Sequence, residues 1–82
     1  MSDSRARTNV FNRVLLATAY IETDVDEAYR VALDAVRLAK GLQSTRVVHY
    51  VRDFRRRLNE RHGSDPLAQR FTEETIELLG AN

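Results

Sequence analysis

Apolar residues recur at spacings of three and four along nearly the whole chain, and its three glycines and one proline all fall where that rhythm lapses. A half-buried strand would alternate with period two, and no segment does. Periodicity and punctuation therefore agree on helices, and the sequence predicts an all-α, four-helix array.

Residues 1–8 are polar, small and charged, and are expected to form a flexible tail ahead of a single helical domain over 9–80. The first helix should start near Thr8. Val10, Val14, Ala17 and Ile21 form its main stripe, Phe11 and Leu15 lie beside them, and Leu16 and Tyr20 occupy a further flank. A segment this apolar on several sides is expected to be covered from more than one direction.

Asp24, followed three residues later by Glu27, reads as an N-cap with a capping-box partner, so a second helix begins there. Ala28, Val31, Ala32, Ala35, Leu38 and Ala39 form its main stripe, and Tyr29, Leu33 and Val36 a second one. The remaining row, Asp26, Arg30, Asp34 and Arg37, alternates in sign and is expected to be solvated and ion-paired within itself. Gly41 stands where a left-handed C-terminal residue is wanted, and Ser44 is placed to cap a third helix. Val47, Tyr50, Val51, Phe54 and Leu58 give that helix its core stripe, and Gly63 closes it. Asp65 and Pro66 then supply a cap and a first-turn proline for a fourth helix. Its apolar set is Leu67, Phe71, Ile76, Leu78 and Leu79, with acids outward.

A chain of 82 residues makes one domain, and at that size only about 60 to 65% of the unfolded chain's surface is buried, so stability should be modest. The absence of cysteine excludes a disulfide framework and a thiolate metal site. Charge interrupts every apolar segment, and the N-terminus lacks a hydrophobic leader, so neither a membrane span nor a signal peptide is expected and a cytoplasmic location is. The net charge of +1 conceals a strong asymmetry. Between Glu22 and Asp34 five acids face one arginine, whereas between Ser44 and His62 six arginines face two acids. Local fields of this kind steer partners even when the total is near zero.

Arg46, Arg52, Arg55, Arg56, Arg57 and Arg61 are the leading functional candidates, because Thr45, His49, Arg52, Arg56 and Asn59 share one helical face with Arg55 close by. Phosphate contact is one use of such a face. Pairing with neighbouring acids is the favoured one, since no second basic segment and no glycine-rich phosphate loop accompany it. His49 and His62 are thirteen positions apart with no cysteine to complete a metal site; His49 reads as part of a polar face and His62 as a cation at a helix C-terminus. Glu73, Glu74 and Glu77 read as a solvated face rather than as acid–base catalysts. No catalytic, metal-binding or cofactor-binding residue is assigned, and no cofactor is expected. Tyr29, Leu33, Val36, His49, Arg52, Arg55 and Arg56 are the candidate partner-binding residues. Tyr20, Tyr29 and Tyr50 are candidates to line a small-ligand pocket between helices.

The segment LLATAYIETDVDEAYRVALDAVRLA resembles a tetratricopeptide-type helix pair, with Ala17 and Tyr20 on the first helix and Ala28 and Ala35 on the second. The turn is one residue shorter than usual, Asp24 stands where glycine is common, and no proline ends the second helix. Over about residues 5–80 the chain also resembles the C-terminal region of actinobacterial helix-turn-helix transcriptional regulators of the xenobiotic-response-element type. The matching features are the N-terminal arginines, D-V-D-E-A, the A-x-x-A-x-x-L-A rhythm, G-L-Q-S-T-R-V-V, R-D-F-R-R-R-L and D-P-L-A-Q-R-F, in that order. The DNA-binding domain of that family is missing, so a stand-alone relative, a truncated frame and a companion to a separate regulator are all compatible. The resemblance implies a non-enzymatic protein-interaction or regulatory module whose partner is a second copy of itself or such a regulator. Helix pairs usually need about three copies to bury their faces, which makes a homodimer a reasonable expectation. Two alternatives stand behind it: nucleic-acid association through the third helix, and a small-ligand sensor.

Overall fold

The computed structural model describes residues 2–42 and 44–79, apart from the side chains of 2–4, 77 and 78. Four helices, α1 (Ser2–Tyr20), α2 (Val25–Ala39), α3 (Thr45–His62) and α4 (Pro66–Glu74), are followed by a single turn, α5 (Ile76–Leu79). Among the described residues there is no strand, and the all-α expectation holds.

Side chains start three of the helices as the sequence predicts. Asp24 accepts from the backbone N–H of Glu27 at 3.2 Å, Ser44 from Val47 at 3.3 Å and Asp65 from Leu67 at 2.8 Å. Each satisfies one of the orphan donors of a first turn. Glu27 itself turns to Arg30, so the Asp24 cap is a one-way bond.

Several boundaries and faces differ from the expectation. Helix α1 begins at Ser2, where a tail through residue 8 was predicted; Arg5, Ala6 and Arg7 are good helix formers and carry the helix ahead of the apolar stripe. Gly41 is not left-handed, because α2 ends by tightening: Lys40 donates to Val36 and Gly41 to Leu38. The fourth helix breaks at Thr75, with φ −100° and ψ 4°. That break turns Ile76 outward, although it was expected in the core, while Leu79 stays buried. Leu38, at the margin of the α2 stripe, is exposed as well. Gly80, the end of the expected domain, and the side chain of Leu78 lie outside the described residues.

Joined by only four residues, α1 and α2 form a hairpin and make the principal helix contact of the molecule. Ala28, Ala32, Ala35 and Ala39 are all buried beside Val10, Val14, Ala17 and Ile21, and their small side chains allow close approach. Helix α3 adds Val47, Val51, Phe54 and Leu58 to the same core. Helix α4 closes it by contacting both α2 and α3. The Phe71 ring meets Phe54 edge-on at 5.2 Å and Tyr29 edge-on at 6.4 Å, so one ladder of rings ties α3, α4 and α2 together. Pairs of this geometry contribute about 0.5 to 1.5 kcal/mol each beyond their buried area.

Candidate interaction surfaces

The second apolar stripe of α2 is covered by the chain itself. Val36 is 1% exposed, and Tyr29 turns onto α4, donating its hydroxyl to Glu74 at 2.8 Å. Burial, and then the Glu74 carboxylate, push the Tyr29 hydroxyl above the usual tyrosine pKa. Leu33 remains half-exposed on a shallow groove shared with Arg37, Lys40, Glu73 and Glu74. Of the predicted partner-binding set Val36 is thus withdrawn, because α4 occupies the side on which a partner would sit.

Arg55 is withdrawn for the same reason. It is 6% exposed and donates to the Thr75 hydroxyl at 3.5 Å. Desolvation, with Arg52 nearby, lowers its pKa. Its position four residues after Val51 and three before Leu58 placed it on the core stripe all along; only its charge suggested otherwise.

The exposed arginines of α3 are engaged mainly with neighbouring groups of the same chain. Arg52 donates to the Leu79 carbonyl at 3.2 Å. Arg56 pairs with Asp53 at 2.5 Å and Glu60 at 3.2 Å, and Arg57 with Asp53 at 3.0 Å. Hydrogen bonding from Arg56 is the main cause that holds the Asp53 carboxyl below its ordinary pKa. Arg61 pairs with Glu22 across to the α1–α2 turn, beside the bond from His62 Nε2 to the Ile21 carbonyl at 2.7 Å. His62 therefore fastens the end of α3 to the hairpin turn, a tertiary role that its place near a helix C-terminus did not reveal. On α2, Arg37 pairs with Asp34 at 3.7 Å as the alternating row implied, whereas Arg30 pairs with Glu27 rather than with the row.

The three tyrosines are spread over separate contacts. Tyr50 lies against Phe11 with ring centroids 4.6 Å apart. Tyr29 of α2 packs against Phe71 of α4, and Tyr20 packs at the edge of the core. Tyr50 and Phe11 do line an open groove of about 740 Å³ between the N-terminal ends of α1 and α3, with Arg7, Thr8, Thr45 and Arg46 among its walls. The sequence signal for this groove is weak, since Arg7 and Arg46 are 39 positions apart. His49 is exposed. Among the described residues no three metal-ligating side chains come together, and no helix is long and apolar enough to cross a membrane.

The most exposed large apolar side chains among the described residues are on α1. Its buried stripe faces α2 and α3, while Leu15 and Leu16 on the outer side are 53% and 49% exposed. Asn12 and Ala19, also exposed, continue this side along the helix.

In class the molecule is an all-α helical domain built on one hairpin. Compared with known protein families, curated proteins and solved structures, the chain finds no match.

Proposed function

We propose that the chain is a non-enzymatic protein-interaction module, associated with transcriptional regulation and engaging its partner through the outer side of α1. One observation carries this reading: two adjacent leucines, Leu15 and Leu16, stand half-exposed on the side of α1 that its buried stripe does not occupy. Isolated exposed leucines are ordinary, but paired ones on a helix that is apolar on several sides mark a surface suited to a second helix. The regulatory setting rests on the resemblance to helix-turn-helix regulators described above. Phosphate binding through α3 has less support, because Arg52, Arg55, Arg56, Arg57 and Arg61 are all drawn into contacts within the chain.

A photo-crosslinking amino acid placed at Leu16 in the native cell is the test. A discrete adduct is expected there and not with the same probe at Arg37, which is exposed on α2. Equal labelling at both positions, or none at Leu16, would remove the reading.

A further inference from the structure

The outer side of α1 carries a seam with heptad spacing. Arg5, Thr8, Asn12, Leu15 and Ala19 follow one another at intervals of three and four, and Glu22 extends the series into the turn after the helix. All six are exposed. Laid antiparallel against a second copy, the same seam brings Arg5 opposite Glu22, Thr8 opposite Ala19 and Asn12 opposite Leu15. Each layer then joins the two different seam positions, as antiparallel helix pairs require, and a two-fold axis repeats every contact.

We infer that the occupant of this surface is a second copy of the chain, docked antiparallel along α1. The inference rests on reading the outer side of α1 as an interaction surface. Charge favours this occupant and this direction. Arg5 and Arg7 make the start of α1 basic, whereas Glu22, Asp24 and Asp26 make the hairpin turn acidic. An antiparallel pair sets each basic end beside the partner's acidic turn, whereas a parallel pair stacks like charges. Glu22 already pairs with Arg61 of its own chain, so Arg5 arriving from the second copy completes an arginine–glutamate–arginine cluster at each end. Leu15 and Leu16 supply the apolar centre.

Sedimentation over a range of concentrations, with circular dichroism to confirm helicity, tests the association. The wild-type mass is expected to rise reversibly towards that of two chains. Leu15→Glu and Leu16→Glu, both surface changes, should weaken association by at least about tenfold, and Arg5→Glu should weaken it less. The absence of native cysteine allows direction to be read directly. Thr8→Cys mixed with Ala19→Cys should form a mixed disulfide, while Thr8→Cys alone should not, since its two copies would lie about 16 Å apart. A monomer at every concentration, or a dimer indifferent to both leucine substitutions, overturns the inference. So does a disulfide from Thr8→Cys alone, which signals a parallel pair. If the chain is monomeric but the Leu16 crosslinker captures a different protein, the second copy is excluded while the interaction reading stands; if it captures nothing, both fail.

Discussion

The guanidinium of Arg55 donates from within the core to the hydroxyl of Thr75, and Thr75 donates onward to the Phe71 carbonyl at 2.8 Å. This relay fixes the end of α4 against α3 at the residue where the helix breaks. Thr75→Val removes the hydroxyl from both bonds and is expected to cost about 1 to 3 kcal/mol, the usual penalty for losing a buried partner. Arg55→Met leaves the Thr75 hydroxyl its bond to Phe71 and removes only the Arg55 donor, so it is expected to cost less than Thr75→Val. Urea unfolding of the two variants checks the order. A larger loss from Arg55→Met would show that the guanidinium is a net stabiliser.

Phe71 is the ring through which α2 and α3 both reach α4. Phe71→Ala should destabilise by about 3 to 5 kcal/mol, as for other fully buried aromatic truncations. That is a large share of the stability of a domain this small. Hydrogen exchange should show α4 losing protection ahead of the α1–α2 hairpin.

The Tyr29 hydroxyl has a pKa raised above the ordinary 10.0 by burial and by Glu74. The folded state therefore holds its proton to higher pH than the unfolded state does. The associated stability is fully present below about pH 10 and is lost as pH rises through the raised value. Tyr29→Phe should accordingly show a flatter fall in unfolding free energy between about pH 9 and pH 11 than the wild type.

Gly63 and Gly41 should respond oppositely to alanine. Neither has a left-handed backbone, and replacing such glycines usually stabilises by about 0.4 to 1 kcal/mol. At Gly63, however, a Cβ would stand 2.6 Å from the Asn59 carbonyl oxygen, which as backbone cannot step aside. At Gly41 the nearest atom is the Leu38 carbonyl oxygen at 3.8 Å. Gly63→Ala is expected to lower the melting temperature and Gly41→Ala to leave it unchanged or raise it.

Helix starts were legible because the chemistry of a cap is local: Asp24, Ser44 and Asp65 each need only a backbone N–H two or three residues ahead. Coverage of a helix margin is not local. Leu38 and Val36 lie on opposite margins of the α2 stripe, yet one is exposed and the other buried because α4 docks on only one side. Nothing within α2 distinguishes the two. The break at Thr75 has a similar origin, since its hydroxyl folds back on Phe71 and Thr72 while Arg55 reaches it from α3. The apolar excess of α1 was visible from its composition, but that both of its leucines stay outside depended on where α2 and α3 settled.

The four-residue connection between α1 and α2 bears on kinetics as well as on shape. The principal helix contact joins neighbours in the chain, so little loop entropy is lost before burial begins to repay it. Topologies dominated by such local contacts fold in about microseconds to milliseconds. The hairpin, with Leu15 and Leu16 already outward, can therefore stand assembled before α4 arrives to seal its other side. Refolding followed at a ring in the Phe54–Phe71 pair should lag refolding followed by helicity.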